Sequence, residues 1–133
     1  MIVVDASAVV ALLTDSGGWG DFVGSLHANH EIAYPSVMPY EVASALRRLA
    51  ASRKVDEPLA LRSLRSVTAV HGQVFEFAEL GDRIWQLRGN VSVYDAAYVA
   101  LAELLDVPLL TLDARLRAAP GPRCRFIELP KSR

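Results

Sequence analysis

Four acids, Asp5, Glu41, Asp95 and Asp113, stand where strands end or helices begin, the places from which side chains of an α/β protein reach a ligand. Ile2 to Val4 is a short β-branched run that reads as a buried strand, and Asp5 follows it at once, ahead of the short helix Ala-Ser-Ala-Val-Val-Ala-Leu-Leu. Asp113 lies just past a second apolar run, Pro108 to Leu112. Glu41 is one turn before Ala45, near the start of a helix that follows a strand. Asp95 falls in the first turn of a segment, Val91 to Leu105, that is apolar almost all round after Ser92, as a helix in the middle of a domain is. Taken singly, each acid has an ordinary explanation. Asp5 or Ser7 could cap a helix, Glu41 suits the positive end of a helix dipole, and Ser92-x-x-Asp95 fits the capping box. Taken together they are harder to dismiss, because crowded carboxylates repel and raise one another's pKa unless a cation joins them. Carboxylates without Cys or His partners suit a hard cation, Mg²⁺ or Mn²⁺. Such a site can generate a hydroxide, orient it and stabilise charge on a phosphoryl group. The chemistry expected is metal-assisted hydrolysis of a phosphodiester.

The elements that must bring these acids together alternate along the chain. Strands are expected at Ile2 to Val4, Glu31 to Pro35, Gln73 to Phe77, Pro108 to Leu112 and Cys124 to Leu129. Between them, Trp19, Phe22, Val23 and Leu26 repeat as one face of a helix; Val42, Ala45, Leu46 and Leu49 give the buried face of the next, which opens near Ser36 or Val37. Further helices are expected from Asp56, from Glu79 to Arg88, and briefly from Asp113 to Ala118. Strands separated by helices of about ten residues imply βαβ units and a parallel sheet. Right-handed crossovers then put the carboxyl ends of the strands on one edge, where all four acids converge.

A chain of 133 residues is expected to be one domain, 1–133. With 52% hydrophobic and 22% charged residues it is globular rather than disordered. A net charge of −1 excludes a nucleic-acid binder that works by its overall field, so any such contact must be local. Arg47, Arg48, Arg53 and Lys54 could supply one, or form a solvated helix face. Cys124 is the only cysteine, which excludes an internal disulfide and a cysteine-rich metal site. His27 and His30 lie three apart without a third ligand nearby in sequence and read as helix-end residues. The N-terminus lacks the pattern of a signal peptide and no run is long enough for a membrane span, so the expected location is the cytoplasm. A mean hydropathy of +0.24 is high for so small a soluble chain and fits a partner-covered surface.

Val-Val-Asp5-Ala-Ser7-Ala, Glu41-Val, Ser92-Val-Tyr-Asp95-Ala-Ala-Tyr-Val-Ala-Leu-Ala and Leu-Leu-Thr111-Leu-Asp113-x-x-Leu resemble the ordered motifs of a PIN domain. The compact size and the late Thr-x-Asp motif resemble in particular the VapC-type toxins of bacterial toxin–antitoxin pairs, and the resemblance covers essentially the whole chain. It implies a three-layer α/β/α domain around a parallel sheet of about five strands. It implies an endoribonuclease dependent on Mg²⁺ or Mn²⁺, a homodimer held inactive by a cognate antitoxin whose C-terminal segment covers the acidic pocket. Asp5, Glu41, Asp95 and Asp113 match the family's acidic quartet, and Ser7 and Thr111 match polar residues that support it. On these roles Asp5, Asp95 and Asp113 hold metal, Glu41 orients or deprotonates the attacking water, and Arg47, Arg48 and Arg115 are candidates for RNA phosphate contact. Tyr94 and Tyr98 are expected in the core or the pocket wall. One departure is Val99, which stands where some PIN nucleases carry a further acid, and it puts a second metal in doubt. Other enzymes fit poorly. A haloacid-dehalogenase-type phosphotransferase wants Asp-x-Asp where this chain has Asp5-Ala-Ser7, and a phosphoacceptor domain wants a late lysine after a strand where Lys131 sits in a tail. The remaining alternative is a PIN-fold binding module that has lost catalysis, against which the presence of all four matched acids argues.

Overall fold

Ile2, Val3 and Val4 are all buried, and a strand apolar on both faces needs cover on both. In the computed structural model, which describes residues 1–131, these residues form β1 (Ile2–Val4) at the centre of the sheet. The other elements are α1 (Ala6–Thr14), α2 (Gly20–Asn29), β2 (Ile32–Pro35), α3 (Met38–Ala51), α4 (Glu57–Ser66), β3 (Gln73–Phe75), α5 (Phe77–Leu87), α6 (Val93–Leu105), β4 (Leu109–Leu110) and α7 (Ala114–Ala118). The sheet order is β3-β2-β1-β4, every pairing is parallel, and the register sets Val3 against both Ala33 and Leu109.

The chain steps from β1 outward through β2 to β3 and then crosses back to place β4 on the other side of β1. Right-handed crossovers put α1 to α4 on one face and α5 and α6 on the other. The packing agrees: α1 contacts α2, α3 and α4, while α6 lies on β1, β2 and α5. The result is the expected three-layer α/β/α arrangement. The strand order reverses between β1 and β4, and in open α/β sheets the crevice at that switch point is where ligands bind. Asp5 follows β1 and Asp113 follows the β4 region, so both stand at it.

The expected fifth strand, Cys124 to Leu129, is present only as a parallel bridge between Phe126 and Leu109. Leu109 N donates to Arg125 O and Ile127 N to Leu109 O, both at 2.9 Å, so the segment occupies the fifth position with one residue's worth of ladder. β4 itself is shorter than Pro108 to Leu112 because its later N–H groups serve side chains: Leu112 N donates to Ser7 Oγ and Asp113 N to Thr111 Oγ1. β3 stops at Phe75 rather than Phe77, since Glu76 is already the cap of α5.

α6 buries seven consecutive residues, Ala96 to Ala102, as its all-round apolar sequence requires. Its one outward anchor is Glu103, which accepts from Arg83 Nε at 2.7 Å and Nη2 at 3.2 Å and from Arg123 N at 2.7 Å. That clamp ties α6 to α5 and to the loop after α7. The bonds lower the Glu103 pKa despite its burial, so its stabilisation is present above the unfolded carboxylate range and is lost as pH falls through the depressed value. Glu103→Gln should cost about 1–3 kcal/mol at neutral pH, read as a melting temperature several degrees lower, and the deficit should shrink in acid. An unchanged melting temperature at neutral pH would show that the clamp contributes nothing.

Candidate active site

Asp5 caps α1. Its Oδ1 accepts from Ala8 N at 3.1 Å and from Ser7 Oγ at 2.6 Å, and only 4% of the residue is exposed. Ser7 in turn accepts from Leu112 N at 2.9 Å and sits 3.5 Å from the hydroxyl of Thr111, which is fully buried. The one Ser7 proton goes to Asp5, and the Thr111 hydroxyl faces both Ser7 Oγ and the Asp5 carboxylate. Thr111 also accepts from Asp113 N at 3.0 Å, and Asp113 caps α7 by accepting from Arg115 N at 2.9 Å. Two hydroxyls thus stitch the end of β1 to the end of β4 and fix two of the four acids. Ser7→Ala should leave Leu112 N unpaired and Asp5 short of a donor. We expect a loss of about 1–3 kcal/mol in denaturant unfolding and a 10- to 100-fold fall in the activity proposed below. Wild-type values for both would remove Ser7 from its supporting role.

Asp95 stands in the first turn of α6, where Ser92 Oγ accepts from its backbone N–H at 3.0 Å, and Glu41 stands in the first turn of α3. Capping therefore holds for Asp5 and Asp113, and capping does not keep them apart from the rest. Asp5, Glu41, Asp95 and Asp113 line one cleft of about 170 Å³ with Ser7, Arg48 and Tyr98. Sequence-distant acids meet as the βαβ argument requires.

The electrostatics report the crowding. Burial raises the Asp5 carboxyl above its ordinary range, hydrogen bonds from Ser7, Thr111 and Ala8 pull it back, and the Asp95 charge adds to the rise. Glu41 is raised by burial and by the charges of Asp95 and Asp5, against the opposing Tyr98 hydroxyl and Arg48. Asp95 is raised by burial and by Asp113. Glu41 Oε1 is a buried carboxylate oxygen with no partner in hydrogen-bonding geometry. Tyr98 Oη is in the same condition, although the two groups are close enough to perturb each other. An unpartnered buried carboxylate oxygen is costly, and it marks a place for a donor or a cation. In this conformation no three His, Cys, Asp or Glu side chains among the described residues are grouped to share one ion.

The remaining sequence candidates divide. Arg48 lines the acidic cleft, whereas Arg47 and Arg115 are exposed and do not line it. Tyr98 is buried beside Glu41, while Tyr94 is 55% exposed. Val99 is fully buried in the core. Burial pushes the Cys124 thiol up to about 11, so it is a packing residue. His27 and His30 share a separate cavity with Glu31 and His71, and His30 Nδ1 lies 3.0 Å from Leu26 O at the end of α2. Sequence reading did not find His71's proximity, which arises from the parallel pairing of β2 with β3, nor the contact of Tyr98 with Glu41, although Tyr98 is three residues after Asp95 on the same helix face.

A doubly wound parallel sheet with an acidic cleft at its switch point is the architecture of the PIN domain, and the chain belongs to that family, whose model matches residues 2–122. Among relatives, Ribonuclease VapC1 of Mycobacterium tuberculosis is 42% identical over 93% of this chain and 94% of its own. A VapC ribonuclease of Mycobacterium bovis is 37% identical over 98% of this chain and 100% of its own. Among solved structures, the toxin VapC20 of M. tuberculosis, described as cleaving the sarcin–ricin loop, superposes with a TM-score of 0.67 over 89% of this chain and 94% of its own at 17% identity, a likeness of fold.

Proposed function

We propose that the chain is a metal-dependent endoribonuclease and the toxin of a toxin–antitoxin pair. The observation that carries the reading is the meeting of Asp5, Glu41, Asp95 and Asp113 in one cleft at the switch point of a PIN fold. The full-length similarity to VapC ribonucleases supports RNA as the substrate and an antitoxin as the partner.

The donor set fits Mg²⁺ or Mn²⁺, being all carboxylate, partly buried and mutually repelling, with one buried oxygen left over. Asp5, Asp95 and Asp113 would hold the ion. Each would bind it directly or through one of the waters that Mg²⁺ usually keeps. Bound there, the ion supplies positive charge at the phosphoryl oxygens and acidifies a water. The rest is the work of the chain. Glu41, raised by burial and neighbouring anions, is suited to take a proton from the attacking water. Ser7 and Thr111 hold Asp5 in one rotamer. Arg48 at the cleft offsets the acids' repulsion of an RNA phosphate. The product is two RNA fragments from one hydrolysed phosphodiester.

The family reading adds a homodimer and a cytoplasmic setting. No helix among the described residues is long and apolar enough to cross a membrane. The test is incubation of total cellular RNA with purified, partner-free protein in Mg²⁺, Mn²⁺ or EDTA. Discrete fragments are expected with metal and none with EDTA. Intact RNA with both metals, from protein shown to be folded, would leave an inactive PIN-fold module acting through its partner.

A further inference from the structure

Each of two helices in the site opens with a tyrosine next to an acid: Tyr40-Glu41 on α3 and Tyr94-Asp95 on α6. Adjacent residues on a helix point about 100° apart, so when the acid faces the cleft the tyrosine faces beside it. Both rings line a second cavity of about 350 Å³, together with Val37, Ser44, Glu41 and Arg48. Glu41 and Arg48 line the acidic cleft as well, so the two hollows adjoin. Tyr40 is 79% exposed and Tyr94 55%, large aromatic areas that do not serve the core.

Resting on the ribonuclease reading, we propose that Tyr40 and Tyr94 form a nucleobase subsite, on which a base next to the scissile phosphate stacks while Arg48 contacts the backbone between the two hollows. The chemistry favours single-stranded RNA. An unstacked base offers a π-face to an aromatic ring, and a guanidinium beside it meets phosphate or stacks in turn. A reactive cleft with net negative charge needs such a neighbour, because RNA is repelled by the acids it must approach. The subsite would help select the nucleotide beside the cut, and Tyr40 and Tyr94 act there as binding and specificity residues.

The test uses the full chain and a fluorescent single-stranded RNA of about ten mixed-sequence nucleotides, with binding measured in EDTA and cleavage in Mn²⁺. Tyr40→Ala and Tyr94→Ala are each expected to weaken binding and raise KM about 5- to 100-fold with a smaller change in kcat. Tyr40→Phe and Tyr94→Phe, which keep the ring, should stay within about twofold. An oligomer with an abasic nucleotide beside the cut should bind wild type as weakly as the intact oligomer binds the alanine variants, and should lose little more with those variants. Wild-type Kd and KM in both alanine variants overturn the subsite. So does a loss confined to antitoxin affinity, which would make this face a protein-docking surface. If wild type leaves the oligomer intact in Mn²⁺ yet binds it through the two tyrosines, the subsite stands and the nuclease reading falls.

Discussion

Asp95→Asn should cleave RNA on the order of 10³-fold more slowly than wild type and, in EDTA at neutral pH, melt at or above the wild-type temperature. The two halves of this expectation have one cause. Asp95 is raised first by burial and then by the charge of Asp113, so its ionised form is disfavoured where it stands. Replacing it with a neutral side chain of the same shape removes a repulsion the fold tolerates. Ser92 Oγ accepts from the backbone N–H of residue 95, a bond that the substitution leaves in place, although the Ser92 hydroxyl also opposes the rise in the Asp95 pKa. What is lost is an anionic oxygen in the cleft. A merely capping or structural acid would behave in the opposite way, losing stability and sparing chemistry. RNA cleavage with Mn²⁺ and melting in EDTA, on the same preparation, separate the cases. Asp95→Asn with wild-type cleavage, or with a melting temperature several degrees lower and proportionate activity, would take Asp95 out of the site.

Much of this site was legible because its acids are tied to the chain's punctuation. Asp5 follows a run that can only be a buried strand, Asp95 opens a helix that can only be interior, and the βαβ rule sends both to one edge. Strand ends were less legible where backbone groups serve side chains, as at Leu112 and Asp113, because no pattern of apolar residues records that a N–H has left the ladder. The fifth strand dwindles to one bridge in a segment bracketed by Pro120, Pro122 and Pro130, residues that cannot donate to a ladder. Contacts between elements distant in sequence, such as Arg83 with Glu103 and Tyr98 with Glu41, depend on the rotation of each helix about its axis. A hydrophobic stripe fixes that rotation only coarsely. Tyr40 was hidden for a related reason. Its exposure makes it neither core nor obvious ligand, and only the shared cavity with Tyr94 gives it meaning.

A divalent metal should raise the melting temperature by roughly 10 °C at a concentration about 100 times its Kd near neutral pH, and the rise should fade as the solution is acidified toward pH ~4. Asp5, Glu41 and Asp95 all have carboxyls raised above their ordinary values, burial being the first cause in each. Between the unfolded and folded pKa values the native protein therefore binds more protons than the unfolded chain. The stabilisation from these groups is fully present below the unfolded carboxylate range and is lost as pH rises through the raised values. In EDTA their contribution thus declines toward neutrality, opposite in slope to that of Glu103. Metal reverses the trend, since it binds only the ionised carboxylates and its affinity grows as they lose their protons. Melting curves in EDTA and in Mn²⁺, taken from about pH 4.5 to pH 8 on wild type and Asp5→Asn, read both slopes. The variant should be the more stable in EDTA at the upper end and should gain little from Mn²⁺. A metal effect that is the same at every pH, or that survives intact in Asp5→Asn, would place the ion elsewhere. Crowded acids whose contribution to stability declines toward neutrality create a physical need for something to neutralise them. The divalent cation proposed for the cleft would meet that need.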